Sequence, residues 1–363
     1  MTFNNSSNYR PTQYDILVGG SNNQIASVGP GTAGQVVQSG GAAANPAYST
    51  ATYPSTAGAA GNVLTSDGTN IVSDLPGGLG FYGDGSDGSV TFDGTTVVLG
   101  ITPVANVYTL LSDIFLSSAT IDSGVTIRPN LYKIYCSGTI ENNGTIQMNG
   151  NDAVLNTAGA SISNATGSVN TGTSAGGGGA GGINAGSNGI GSIANTIGGR
   201  GGAGGSGASA GGNGGTISAL AANITKPRAL PYTSLAFLSN GSGLNTVFVC
   251  GTGGGGGGGD GTNRGGGGGG GGSVVVISSR FITGTGTISS NGGNGGDGAV
   301  AGTNCGGGGG GGGGVILITS SSVSSGAIAG QTITANGGNP GNPTGTGVIG
   351  SSGNTGLIVL LKN

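Results

Sequence analysis

The chain has 363 residues, of which 91 are glycine and none is histidine, and nine Lys/Arg against twelve Asp/Glu leave a formal net charge of −3. Charged residues are 6% and aromatics 4%, against about 25% charged in an ordinary soluble domain, which excludes a conventional globular surface. The scattered cations exclude a nucleic-acid footprint, the missing histidine removes Ser-His-Asp and Cys-His catalysis and most zinc sites, and no apolar run reaches the ~18 residues of a membrane span.

Residues 1–79 read as a low-complexity leader without a packed core of its own. Met1-Thr2-Phe3-Asn4-Asn5-Ser6-Ser7-Asn8 lacks the basic and apolar regions of a secretory signal. Farther on, Gly34-Gln35-Val36-Val37-Gln38-Ser39-Gly40 recurs as Gly61-Asn62-Val63-Leu64-Thr65-Ser66-Asp67-Gly68. The recurrence predicts two short strands flanked by turn residues. Hairpins of that size are marginal alone, so the leader points to an oligomer.

Residues 80–170 carry short β segments at close intervals. Ile121, Ile127, Ile134, Ile140 and Ile146 fall six or seven residues apart, and most of the gaps hold a turn signal. This predicts rungs of a β-solenoid-like module, each coil burying its apolar side chains on the next. Residues 171–250 form a Gly/Ala-rich zone that ends in a glycine-poor insertion, 216–250, with Lys226, Arg228, Tyr232 and Phe237. No segment has sustained helical periodicity.

Residues 251–363 contain uninterrupted glycine runs at 253–259, 265–272 and 306–314. A flexible linker mixes in serine and has no reason to lead into packed strands, yet two of these runs lead straight into Val274-Val275-Val276-Ile277 and Val315-Ile316-Leu317-Ile318. The expected structure is a polyglycine II lattice of extended threefold helices, nine glycines spanning roughly 28 Å. Such helices have no internal hydrogen bonds, so buried ones must pair with one another's backbones. The apolar strands would clamp the lattice and offset the entropy of ordering glycine. Leu357-Ile358-Val359-Leu360 continues the strand repeat, and Gly286–Gly293 echoes Gln331–Gly338. The expected fold is therefore all-β, elongated and fibrous: a short-strand β-solenoid-like stalk followed by a polyglycine II lattice clamped by strands, with no significant helix.

Cys136, Cys250 and Cys305 are few and far apart, so they make no disulfide framework and suit a reducing place of assembly. Asp84 with Asp87, or Asp113 with Asp122, are the starting points for a glycan-hydrolysing carboxylate pair, but Asp-Gly turns account for such residues better. Gly292-Gly293-Asn294-Gly295-Gly296-Asp297 partly fits a calcium-binding nonapeptide, which requires tandem copies this chain lacks. No cofactor, metal or catalytic residue is assigned. The candidate contact residues lie at exposed tips: Asp260, Asn263 and Arg264 between two glycine runs, Asp297 and Asn304 before the third, and Lys226, Arg228, Tyr232 and Phe237 in the insertion.

Gly58-Ala59-Ala60-Gly61-Asn62-Val63-Leu64-Thr65-Ser66-Asp67-Gly68 resembles the shaft repeat of phage tail fibres. Phe81-Tyr82-Gly83-Asp84-Gly85-Ser86-Asp87-Gly88-Ser89-Val90-Thr91-Phe92, followed by Tyr132-Lys133-Ile134-Tyr135-Cys136-Ser137-Gly138-Thr139-Ile140, is similar to a β-rich module of phage-encoded and bacterial surface proteins. The glycine-rich half resembles polyglycine-sandwich tail adhesins in style. The resemblance implies a virion fibre protein rather than an enzyme, a trimer, attachment to other tail proteins through 1–79, and binding of a host-surface glycan or outer-membrane protein. It implies neither nucleic-acid binding nor membrane insertion. The alternatives are a cellular adhesin or filament subunit, which would need export, and an ice-binding protein, for which Thr283-Gly284-Thr285-Gly286-Thr287 offers one short hydroxyl row.

Overall fold

The computed structural model describes residues 14–19, 25–41, 44–55, 63–66, 69–74, 82–162, 178–190, 199–215, 250–299 and 303–362. These residues are all-β: nineteen strands, and no helix long and apolar enough to cross a membrane. The chain divides into two compact units, Met1–Leu79 and Gly80–Asn363.

In the first unit, β1 (Ile16–Gly19) pairs antiparallel with β2 (Ile25–Val28), β3 (Gln35–Gln38) with β4 (Ala47–Thr52), and β5 (Val63–Ser66) with β6 (Ile71–Asp74). The two copies of the leader repeat thus supply β3 and β5, each pairing with the strand that follows it and not with the other. Asn70 ties two of the hairpins together, its Oδ1 accepting the Thr52 amide at 3.1 Å and the Thr52 hydroxyl at 2.9 Å.

In the second unit the strands are β7 (Gly88–Phe92), β8 (Val107–Thr109), β9 (Ile114–Ile121), β10 (Thr126–Arg128), β11 (Lys133–Asn142), β12 (Thr145–Gln147), β13 (Val274–Thr283), β14 (Thr287–Ser289), β15 (Val315–Thr319), β16 (Val323–Ser324), β17 (Ala327–Ile328), β18 (Thr332–Thr334) and β19 (Leu357–Leu361). Two sheets take nearly all of them, in the orders β7-β9-β11-β13-β15-β19 and β8-β10-β12-β14-β18. Every pairing within these sheets is parallel. The module at 80–170 and the repeats at 251–363 therefore share both sheets, since β11 pairs with β13 and β12 with β14.

The sequence repeats become register. Val274 pairs with Val315 and Val315 with Leu357, and so on without slip along all three strands. In the second sheet Tyr108, Ile127, Ile146, Ile288 and Ile333 form one row, and the first four are buried. Each fully buried isoleucine contributes about 1.5–3 kcal/mol of hydrophobic stabilisation. The start of β13, Val274–Ile277, and β15 are apolar runs rather than alternating ones because they are buried on both faces. On β11 the register shifts at Ser137-Gly138, against both neighbouring strands. Gly138 fits there because a Cβ would overlap the Ser117 carbonyl, and the bulge lets the strand bend.

The glycine-rich arms extend from these sheets. Their amides follow a threefold rule. Gly254 and Gly257 donate to Gly269 and Gly266, Gly255 and Gly258 donate to Gly202 and Gly205, and Gly256 and Gly259 donate to Ser187 and Asn184, all at 2.7–3.0 Å. Run 265–272 donates in turn to run 306–314, which donates back to 252–258, closing a triangle. The three runs are buried throughout, and a Cβ at Gly254, Gly268 or Gly311 would overlap a neighbouring carbonyl. Around this centre the exposed residues recur at every third position: 200, 203 and 206 in one segment, 336, 339 and 342 in another.

Candidate functional site

Because the arm backbones are spent on one another, the groups exposed to a partner are side chains along the rim and at the turns. Those turns are tied to each other by hydrogen bonds. Asp260 Oδ1 accepts the amides of Thr262 (2.9 Å) and Asn263 (2.6 Å), and Asn263 Nδ2 approaches Asp260 Oδ2 at 3.2 Å. These donors, the backbone amide of Asn263 foremost, hold the Asp260 carboxyl below the usual carboxylate range. Gly261, at φ 92°, supplies the left-handed residue that closes the turn and donates its amide to Ile183.

Arg264 reaches the Gly181 carbonyl with Nη1 at 3.4 Å, and its own carbonyl accepts the Ala299 amide. Asn304 accepts the Ala208 amide on its carbonyl and the Thr346 amide on its side chain, each at 3.1 Å. Cys305 Sγ reaches the Asn263 carbonyl at 3.5 Å, so 183, 208, 260–264, 299, 304–305 and 344–346 belong to one hydrogen-bonded cluster. Of the expected contact residues, the structure gathers Asp260, Asn263, Arg264 and Asn304 there.

Asp297 is exposed but lies outside this cluster. Its Oδ1 accepts the Asn342 amide at 2.7 Å and the Asn342 side-chain amide at 3.2 Å, so it joins two neighbouring arm segments side by side. Lys226, Arg228, Tyr232 and Phe237 lie outside the described residues.

The structure adds apolar residues that sequence reasoning missed. Leu155 is 56% exposed in a turn closed by the Val154–Thr157 bridge, at φ 51°. A leucine in the left-handed region stores backbone strain of order 1 kcal/mol. Its neighbour Asn156 accepts the Gly181 amide, which connects this turn to Arg264. Ile183 (39%), Val348 (52%) and Ile349 (51%) are likewise exposed at or beside the clustered turns. Nothing in their composition marks them out in the sequence, since the signal is position at a turn.

Three of the four aspartates weighed as catalytic pairs have a carboxylate oxygen on a backbone amide. Asp84 Oδ1 accepts the Ser86 amide at 3.0 Å, and Asp87 Oδ2 the Phe115 amide at 2.6 Å. Asp113 Oδ1 accepts the Lys133 amide at 2.8 Å, with Lys133 Nζ 3.8 Å from Oδ2. Burial pushes the Lys133 ammonium below its ordinary range, and Asp113 partly restores it. Asp122, just after β9, makes only main-chain bonds among the described residues, donating its amide to Phe92 at the end of β7 and accepting that of Val125 on its carbonyl. Among the described residues no three His, Cys, Asp or Glu side chains are grouped to hold a metal ion.

Compared with protein-family models, curated proteins and solved structures, the chain matches none of them.

Proposed function

We propose that this chain is a structural fibre protein of a phage virion that presents its arm turns to a receptor on the host surface. In this reading the coils from β7 to β19 form a β-solenoid-like stalk, and the glycine arms form a polyglycine II lattice clamped by those strands. The observation that carries the reading is the cluster of turns. Arg264, Asn263, Asn304, Leu155 and Ile183 stand at turns linked by hydrogen bonds, on arms whose interior accepts only glycine. Such a scaffold fixes its backbone and leaves its turns free to differ. Residues 1–79 would attach to other tail proteins, the assembly would be a homotrimer, and the receptor a glycan or an outer-membrane protein. The role is binding and not catalysis.

The test is competition. Purified protein at saturating dose should block adsorption of the phage that carries it, and Arg264→Ala with Leu155→Ser should weaken the block at least tenfold. Unchanged adsorption in the presence of excess protein would reject receptor binding. Light scattering tests the assembly separately: three 33.7 kDa chains give about 101 kDa, whereas filaments of indefinite length would mean non-closing contacts and a different kind of protein.

A further inference from the structure

On one side of the arms, three segments lie side by side in matched register. Asn291 and Asn294 donate their amides to the side-chain oxygens of Asn149 (2.8 Å) and Asp152 (2.6 Å). Asn336, Asn339 and Asn342 donate in the same way to Asn291 (2.8 Å), Asn294 (2.9 Å) and Asp297 (2.7 Å). The residue after each of these positions donates onward to the next layer. Gly150 and Ala153 donate to the carbonyls of Asn291 and Asn294, and Gly292, Gly295 and Gly298 donate to those of Asn336, Asn339 and Asn342, at 2.8–2.9 Å.

In the last layer the equivalent donor positions are Gly337, Pro340 and Pro343. Two of the three have no amide hydrogen. Proline also matches the extended, φ-restricted backbone of such a segment, so it removes the donor without disturbing the chain path. The first layer offers no such edge, because β12, which leads into it, already pairs with β10. β18 and β19 end both sheets, so the face of the last layer is an open edge, and a second copy laid along it would extend sheets and arms together.

We propose that Pro340 and Pro343 seal the last layer against this addition, so that the number of layers is fixed at three on this side and copies of the chain join elsewhere. The seal is the arm counterpart of proline on an edge strand, where a missing donor stops another chain from pairing. It rests on the register of the arms and is independent of the receptor-binding reading.

The experiment compares the full chain with the Pro340→Gly/Pro343→Gly variant by sedimentation and light scattering as concentration is raised. The wild type should hold a constant mass. The variant should at least double in weight-average mass with concentration. A folded variant that keeps the wild-type mass at every concentration overturns the proposal. Pro340→Ala/Pro343→Ala restores the same amides with less freedom in the unfolded chain and is read by the same criterion. Hydrogen exchange tests the seal on the wild type itself, with no variant to fold. The Gly337 amide, the one outward donor left, should exchange at least a hundredfold faster than those of Gly292 and Gly295. Equal protection would mean that another segment already covers this edge, and the proposal would be wrong.

Discussion

Replacing Gly254 by alanine tests the packing at the centre of the arms. A Cβ on Gly254 would overlap the carbonyl oxygen of Gly309 and crowd that of Gly310. The side chain cannot rotate away, because it is a single methyl and its neighbours are backbone. Either the run at 306–314 shifts, which strains the Gly309→Gly255 and Gly312→Thr252 hydrogen bonds at 2.8 Å, or the overlap is absorbed as packing strain. Overpacking costs about 1–3 kcal/mol, and each buried bond lost adds about 1–3 kcal/mol. Lower entropy of the unfolded chain returns about 0.4–1 kcal/mol. The net expectation is a loss of about 2–5 kcal/mol, a large share of the total stability of a domain. Equilibrium denaturation monitored by far-UV circular dichroism would measure it. Ser206→Ala serves as the control, since position 206 is exposed and should stay within about 0.5 kcal/mol of wild type. A cost below about 1 kcal/mol for Gly254→Ala would refute the close-packed account of the runs.

Ile146→Ala removes the middle of the buried row Tyr108–Ile127–Ile146–Ile288–Ile333 and should cost about 2–5 kcal/mol in the same measurement. Asp93 accepts the Thr95 and Thr96 amides at 2.7 and 2.8 Å, which hold its carboxyl well below the usual range. Its folded pKa lies below its unfolded value near 3.9, so its contribution is present above about pH 5 and is lost as pH falls through 4 and lower. Asp93→Asn should flatten the acid limb of a stability–pH curve by lowering the neutral region toward the acid value, with the acid end little changed, because the uncharged amide stands in for the protonated carboxyl. Tyr135, stacked on Phe115 with ring centroids 5.0 Å apart, has its phenol pushed up to about 12 by burial and then by the charge of Asp113. Burial also pushes the Tyr108 phenol up, so spectrophotometric titration should find both tyrosines ionising late, and Asp113→Asn should bring the Tyr135 ionisation to lower pH.

Much of this architecture is legible in the sequence because it is written in offsets. The repeat of Val274-Val275-Val276-Ile277 at 315 and 357 is the register of β13, β15 and β19, and the echo of Thr287-Ile288 at Thr332-Ile333 is that of β14 and β18. Offsets state which residues lie beside which, and parallel stacking preserves them. The turns are harder to read. Asp260 and Asn263 stand out as polar residues between two glycine runs, and they do form a turn. Asp297 has the same appearance but sits in a ladder with Asn342. The two roles differ by one structural fact, whether an arm segment lies alongside, and local composition does not encode it. Leu155 and Ile183 escape for the opposite reason, since an apolar residue in a sequence defaults to core.

The distribution of glycine follows from how many neighbours each arm segment has. The runs at 253–259, 265–272 and 306–314 donate in three directions and are buried throughout, so no position in them has room for a side chain. Segments at the rim expose one position in three, and there Arg200, Ala203 and Ser206, or Asn336, Asn339 and Asn342, replace glycine. The segment at 347–356 keeps glycine at 347, 350, 353 and 356 and exposes both residues between each pair. The count of consecutive glycines is thus a measure of burial in this chain. It also limits where the chain can change without losing the arms. Sequence can vary at every third rim position and at the turns, and only the turns combine that freedom with a fixed, strained backbone such as Leu155 at φ 51°. A binding surface that must diversify while its support stays rigid has few other places to be.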